Sequence, residues 1–554
     1  MYQLLDYKYK YLTTAILCSI IAVFVFTEII LGFTPPIVRD VLIHHLAIPK
    51  LWLKHGGFYD IPWAVFSYYP MNIDLLYLIP LYFGNDIIPN FIHLGFGLGT
   101  AWLIYSYLRS RFGRTAGLSG VVIFISTPII VRMSTTAYVD LGLVFFTTAC
   151  ILAFIRWRDG EYKEYGWLFI SSIALGLALG TKYNALIAWF FVSLTVVFVY
   201  SRDTNRQWSA IKYGALFLII SLAVFSPWLI KNTILTGNPL YPLFQGIFNA
   251  GSFADNGSTH SIVSGSSYMG MFKMRELLYG ENIWEILLIP VRFFFQGQDN
   301  SDRYFEGVLT PLLIIGVPFA FMDKSKYSDK LMFLSFSIFF ILMAFFLNQI
   351  RIRYILPVVP FLIILTVSGL INIFTWLNDR GRPFRELFIY GLLIILTFLM
   401  AKNVIYLYKH FQSIQPANYI LGKESRDEFI SRHDRSYPAM MYINRHTPEN
   451  ARIKLILLSG RGYYLERIYD EDPNSGMDTV RSLVTAAGDD KTFEKYLLSI
   501  GCTHLLVRYD LFQQYLHDNF SPEAVSRLFA RMGKETEIVY YGNGYAVIRL
   551  IRQH

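Results

Sequence analysis

Apolar runs of roughly 20 residues, the length that crosses a hydrocarbon core, recur from residue 11 to about residue 408 and then stop. Lipid offers backbone N–H and C=O groups no water, so a chain built this way must fold as a bundle of spanning helices. The runs are 11–32, 87–108, 115–133, 137–156, 166–181, 185–201, 213–230, 307–322, 331–348, 353–375 and 387–408. Eleven spans put the two termini on opposite sides. One helix over 166–201 would be about 54 Å long, too long for a single crossing. Gly180-Thr181-Lys182-Tyr183-Asn184 interrupts that stretch, so it reads as two short spans that meet at one surface.

Orientation follows from Lys and Arg in the short loops. With the N-terminus in the cytoplasm, the cytoplasmic loops hold Arg109/Arg111/Arg114, Arg156/Arg158/Lys163, Arg202/Arg206/Lys212, Lys324/Lys326/Lys330 and Arg380/Arg382/Arg385. The outer turns hold few, apart from Arg351 and Arg353. The net charge of +9 is therefore accounted for by membrane lipids and topology, and nucleic acid is not expected as a partner. Three cysteines give no disulfide pair and no metal-ligand spacing. The first span follows Lys8 and Lys10 with no small-residue cleavage site and reads as uncleaved.

Three long segments then lie outside: loops 33–86 and 231–306 and the tail. The expected organisation is a membrane domain over 1–408 and a soluble extracytoplasmic α/β domain over 409–554. In the tail, Arg452–Ser459 and Thr503–Tyr509 read as strands and Asp490–Ile500 and Pro522–Met532 as helices. Glu537–Arg552 reads as a hairpin turning at Gly542-Asn543-Gly544. Segment 459–476, with Tyr463 and Tyr464, faces either a glycan or lipid.

Ionisable residues near a bilayer are costly and mark function. Here they gather at outer span ends. In the first loop, Asp40 and His44 share one face of a helix expected over Val41–His55. They suit proton abstraction or metal binding, although Asp40 also suits a helix cap. Asp140 opens the fourth span, either as a first-turn acid or facing the same cavity. Lys182 stands at the break between two short spans, where a lysine either snorkels outward or binds an anion beside the exposed backbone; the coincidence of break and charge favours the anion. Arg351 and Arg353 are guanidinium forks for phosphate oxygens, with ion pairing to Asp302 or Glu306 as the alternative. Asn232 and Asn238 are placed to meet sugar hydroxyls, although turn chemistry also explains Asn238. Residues 249–275, with His260, are rich in Gly, Ser, Asn and Thr and read as a mobile loop or lid.

These motifs resemble the GT-C superfamily of membrane glycosyltransferases, and within it the protein-O-mannosyltransferase and aminoarabinose-transferase branch. The likeness rests on Arg-Asp-x-x-x-His-His-Leu-Ala-x-Pro at 39–49, Tyr-Val-Asp at 138–140 and Gly-Thr-Lys-Tyr at 180–183. Pro-Trp…Gly-Asn-Pro-x-Tyr-Pro at 227–242 and Arg-Tyr-x-x-Pro at 353–357 extend it. It implies a polyprenyl-phosphate-linked sugar donor, transfer with inversion, and a lipid, glycan or protein acceptor. It further implies Asp40 as general base, Asp140 as a supporting acid, and Lys182 with Arg353 as the phosphate grip. Tyr138, Tyr183 and Tyr354 within these motifs join the asparagines as substrate contacts. Many relatives carry Asp-Glu where this chain has Arg39-Asp40, which leaves the use of a divalent metal open. The setting the resemblance implies is a bacterial inner membrane. The competing readings are a lipid-linked-sugar flippase or transporter and a glycan polymerase or ligase.

Overall fold

The computed structural model describes residues 2–248, 271–346, 350–378 and 382–551; the expected lid at 249–275, with His260, lies largely outside them. The described residues form a bundle of apolar helices that carries a small sheet domain on one end. The bundle begins with α1 (Tyr2–Gly32). The first loop supplies a π-helical turn (Val41–His45), α2 (Ala47–His55) and α3 (Asn72–Tyr82). Then follow α4 (Ile88–Phe112), α5 (Arg114–Ser126), α6 (Pro128–Ser134) and α7 (Asp140–Asp159). α8 (Tyr165–Leu179), α9 (Ala185–Thr204) and α10 (Gln207–Thr236) complete the first part. Helices Tyr327–Phe345, Val359–Asn378 and Arg382–Ile414 follow.

Each of the eleven expected spans falls on an apolar helix or helix pair, but not all are long. Among the described residues, eight helices have the length and composition to cross a membrane. Helices α5 and α6 reach it only as a pair bent by 71°. The bend has a local cause: Pro128 opens α6, and Thr127 before it is forced to extended geometry (φ −62°, ψ 123°). Tyr165–Leu179 and Leu312–Met322 are shorter apolar helices. The second lies against Val359–Asn378 at a point where only glycine fits, since a Cβ on Gly369 would stand 2.1 Å from the Gly316 carbonyl oxygen.

The expected break inside 166–201 is present, and Asn72 holds it. The Asn72 N–H donates to Gly180 O (2.8 Å), and Trp228 Nε1 donates to Asn72 Oδ1 (2.8 Å). Four of the five basic loops assigned to one side collect at the far end of the bundle; the side chains of the fifth, Arg380/Arg382/Arg385, lie outside the described residues. At that end Arg111 pairs with Asp159 (2.5 Å), Arg158 with Asp329, and Tyr162 donates to Asp203 (2.6 Å).

The tail is a five-stranded sheet flanked by helices. Its strands are β1 (Arg452–Ile456), β2 (Ile468–Glu471), β3 (His504–Arg508), β4 (Thr536–Gly542) and β5 (Tyr545–Leu550). The order is β2-β1-β3-β5-β4, with β1 parallel to both neighbours and the β4–β5 hairpin antiparallel. Asn543 (φ 54°) and Gly544 (φ 84°) make its turn, as the Asn-Gly pair requires. Strand β2 falls within the segment read as a glycan- or lipid-facing surface. Instead of hanging free, the tail is fused to the first loop. Val41, Leu42 and Leu46 share one apolar cluster with Phe429, Ile430, Ile443 and Leu465. Around it Lys50 pairs with Glu466 (2.7 Å) and Arg426 with Asp86 (2.6 Å).

Candidate active site

At the end of the bundle beneath the tail lies a cavity of about 1710 Å³. Six separate stretches of chain bring charged residues to it. The first loop, the residues before α7 and the α8–α9 break line one part; 297–306, 351–354 and the end of helix Arg382–Ile414 line the rest. Ser459 and Ser475 reach it from the tail. Of the expected site residues, Asp40, His44, Tyr138, Lys182, Tyr183, Arg351, Arg353 and Tyr354 line this one space.

Asp40, Asp140, Lys182 and Arg353 are already paired. Arg353 Nη1 lies 2.5 Å from Asp40 Oδ2. Lys182 Nζ lies 2.7 Å from Asp140 Oδ1. Asp140 is 1 % exposed and stands behind the lysine at the α7 N-terminus, where the macrodipole favours an acid. Its Oδ2 has no protein partner among the described residues. Tyr354 lies between the two cations: Lys182 Nζ is 5.1 Å and the Arg353 guanidinium 5.3 Å from its ring centre. Arg353 also covers Tyr138 at 5.5 Å.

Electrostatics follows from this pairing. Burial alone would raise the Asp40 carboxyl, but Arg353 beside it more than offsets that and holds it well below the usual carboxylate range. Burial lowers His44 and brings His45 down to about 3, so both imidazoles are uncharged. His44 stacks on Phe66 (4.4 Å), and its Nδ1 has no partner among the described residues.

Arg351 and Arg353 do not act as one fork. Arg351 pairs with Glu306 (2.7 Å) and Asp302 (3.3 Å), the ion-pair alternative. Beside it Arg132 pairs with Asp299 (3.0 Å), and Tyr406 donates to Asp299 (2.6 Å). Arg351 thus belongs to an acidic wall and Arg353 to the cationic one.

Asn232 and Asn238 lie outside the cavity lining and hold neighbouring protein groups, mostly backbone carbonyls. Asn232 Nδ2 donates to Tyr68 O (2.8 Å) and to Tyr183 Oη (3.1 Å). Asn238 Nδ2 donates to Leu243 O (2.7 Å) and its Oδ1 accepts from Leu240 N (2.9 Å), the turn chemistry named as the alternative. The residues that sequence reasoning passed over are His45 and Asp74, 2.7 Å apart, and the wall of Arg132, Asp299 and Tyr406. Asp74 left one signal: it is an acid in a short helix whose other residues, apart from Asn72, are apolar or tyrosine. Among the described residues no three His, Cys, Asp or Glu side chains come together as metal ligands. Asp40 is committed to an arginine, so its carboxylate does not fit as the holder of a divalent cation.

Residues 87–230 match the family model described as dolichyl-phosphate-mannose-protein mannosyltransferase. Comparison with curated protein sequences gives no match. Among solved structures, ArnT from Cupriavidus metallidurans bound to undecaprenyl phosphate is similar over 97% of this chain and 98% of that one, at 14% identity and a TM-score of 0.53. The apo state of the same protein gives a TM-score of 0.54 at 14% identity, with the same coverage. The oligosaccharyltransferase of Archaeoglobus fulgidus is similar over 93% of this chain and 71% of that one, at 12% identity and a TM-score of 0.51. The chain is thus a membrane protein with the fold of the GT-C glycosyltransferases.

Proposed function

We propose that this protein is a glycosyltransferase that takes a sugar from a polyprenyl-phosphate donor and passes it, with inversion, to a lipid, glycan or protein acceptor. The observation that carries this reading is the convergence of Arg353 and Lys182, each paired with a carboxylate, in one cavity at a bundle end. The match to a dolichyl-phosphate-mannose transferase family over residues 87–230 supports it. So does the likeness to a structure that holds undecaprenyl phosphate. Four of the basic loops meet at the opposite end of the bundle, which favours an extracytoplasmic site under the positive-inside rule. On this reading the membrane part, 1–408, performs the chemistry, and 409–554 roofs the cavity.

The ion pairs give the reaction an order. Without donor, Arg353 keeps Asp40 a poor proton acceptor. A donor phosphate oxygen competes for the same guanidinium, and as it takes Arg353 the carboxylate regains basicity. The acceptor hydroxyl then attacks the anomeric carbon, and its proton passes to Asp40. The bond from that carbon to the phosphate oxygen breaks, and its electron pair leaves on the phosphate. Arg353 and Lys182 stabilise the charge that grows there. Asp140 holds Lys182 in place.

The test is release of labelled sugar from a polyprenyl-phosphate donor by the purified protein. Asp40→Asn should abolish turnover yet fold and bind polyprenyl phosphate. Full activity in that variant removes Asp40 from the reaction. Transport of the intact donor across vesicles without its cleavage would favour a flippase instead.

A further inference from the structure

A second pair of titratable side chains lies in the cavity wall and has no part in the reaction above. His45 Nδ1 is 2.7 Å from Asp74 Oδ1, and both residues line the cavity. The two side chains keep 7 % and 2 % of their surface exposed. Local geometry builds the pair. His45 ends the π-helical turn, in which Leu46 N donates to Val41 O (3.0 Å), a wide turn of the kind found at functional sites. Asp74 stands in the first turn of α3. The His45 ring meets Tyr138 edge-on at 5.5 Å, and Tyr138 is the ring that Arg353 covers. The imidazole therefore stands beside the cationic wall. Its Nδ1 is committed to Asp74, and its Nε2 has no protein partner among the described residues. Burial keeps the imidazole uncharged and the Asp74 carboxyl well above its ordinary range. The pair then shares one proton between Nδ1 and Oδ1 and keeps another on Nε2.

We propose that His45 is a phosphate-binding residue whose Nε2–H donates to an oxygen of the polyprenyl phosphate, with Asp74 as the positioning residue that fixes this tautomer. The inference rests on the reading above that a polyprenyl phosphate occupies the cavity. A neutral donor suits the site. Asp40 already offsets Arg353 and Asp140 offsets Lys182, and an uncharged imidazole adds a hydrogen-bond donor without upsetting that balance.

The experiment is titration of a polyprenyl phosphate into the purified full-length protein in detergent, read by calorimetry. His45→Ala should weaken binding by about tenfold or more, the worth of one hydrogen bond to a charged group. His45→Gln, which retains a side-chain N–H, should recover most of that affinity. Asp74→Asn can donate its amide to Nδ1 and so leaves the hydrogen on Nε2; it should bind like wild type. Asp74→Leu should behave like His45→Ala. If His45→Ala does not fold, His45→Phe fills the space without a donor, with the same loss expected. Equal affinity in wild type and the donor-free variants overturns this inference alone. Asp74→Asn binding as poorly as Asp74→Leu overturns it too, because the carboxylate would then matter as a charge. A wild-type protein that binds no polyprenyl phosphate ends the reading on which the inference rests.

Discussion

Arg353 and Asp40 are separated by 313 residues of chain and by 2.5 Å in space. This pair ties the first loop to the start of a spanning segment and sets the basicity of the carboxylate. Replacing Arg353 should therefore do two things. Arg353→Gln should lower kcat/KM by about 10²- to 10³-fold, as loss of a charge-stabilising donor does. It should also release the Asp40 carboxyl upward. A base works only when deprotonated, so the acid limb of the pH profile should move to higher pH. Arg353→Lys keeps the charge but not the fork and should leave that limb closer to wild type. An unmoved acid limb in Arg353→Gln would show that Asp40 is not the group titrating.

Lys182 and Asp140 should depend on each other. Asp140→Asn leaves a lysine without its counter-charge. The cost should be about 2–3 kcal/mol, below that of a fully buried pair, because Lys182 keeps 19% of its side chain exposed. Asp140→Asn combined with Lys182→Met should regain much of the loss in thermal unfolding, while donor binding stays weak. Additive losses in the double variant would show that the two side chains act independently.

Glu471 should make the tail sensitive to pH. It ends β2 and is 5 % exposed, and burial pushes its carboxyl up to about 7 despite backbone N–H groups of Gly460, Leu458 and Ser459. An acid raised above its unfolded value binds more protons folded than unfolded. Stability should then fall as pH rises from about 4.5 to about 7, by roughly 3 kcal/mol at most. Glu471→Gln should flatten this slope, and unfolding temperatures at pH 5 and pH 8 measure it. Equal slopes in the two proteins would refute the assignment.

The break between α8 and α9 should not tolerate a side chain. A Cβ on Gly180 would meet Asn72 Nδ2 at 2.1 Å. Gly180→Ala should cost about 1–3 kcal/mol, as other small-to-large changes in packed sites do, and should weaken donor binding by displacing Lys182. Asn72→Ala in the same protein should relieve the clash.

What the sequence disclosed was what is local. Apolar runs mark the helices, and the Gly-Thr-Lys-Tyr interruption marks the turn between α8 and α9. The Asn-Gly pair marks the β4–β5 turn. Long-range partners leave no local trace: nothing in the spacing joins Asp40 to Arg353 rather than to His44, or His45 to Asp74. The π-helical turn is equally silent, because one extra residue per turn does not change the pattern of Val41-Leu42-Ile43. Asn232 and Asn238 were misleading for a related reason. A polar residue at a span end looks the same whether it meets a ligand or satisfies a carbonyl. Strand β2, four residues long, is too short to show a period of its own.

The shared cluster of the first loop and the tail also bears on how the protein is made. The stretch that bears Asp40 packs against Phe429 and Ile443, which emerge from the ribosome after every helix of the bundle. The helices can insert one by one as they appear, but the support for Asp40 arrives only when synthesis has passed the last of them. A nascent chain halted at residue 408 would already sit in the bilayer with the Asp40 loop unsupported. The loop that bears Asp40 therefore gains its packing only after the spanning helices have been made.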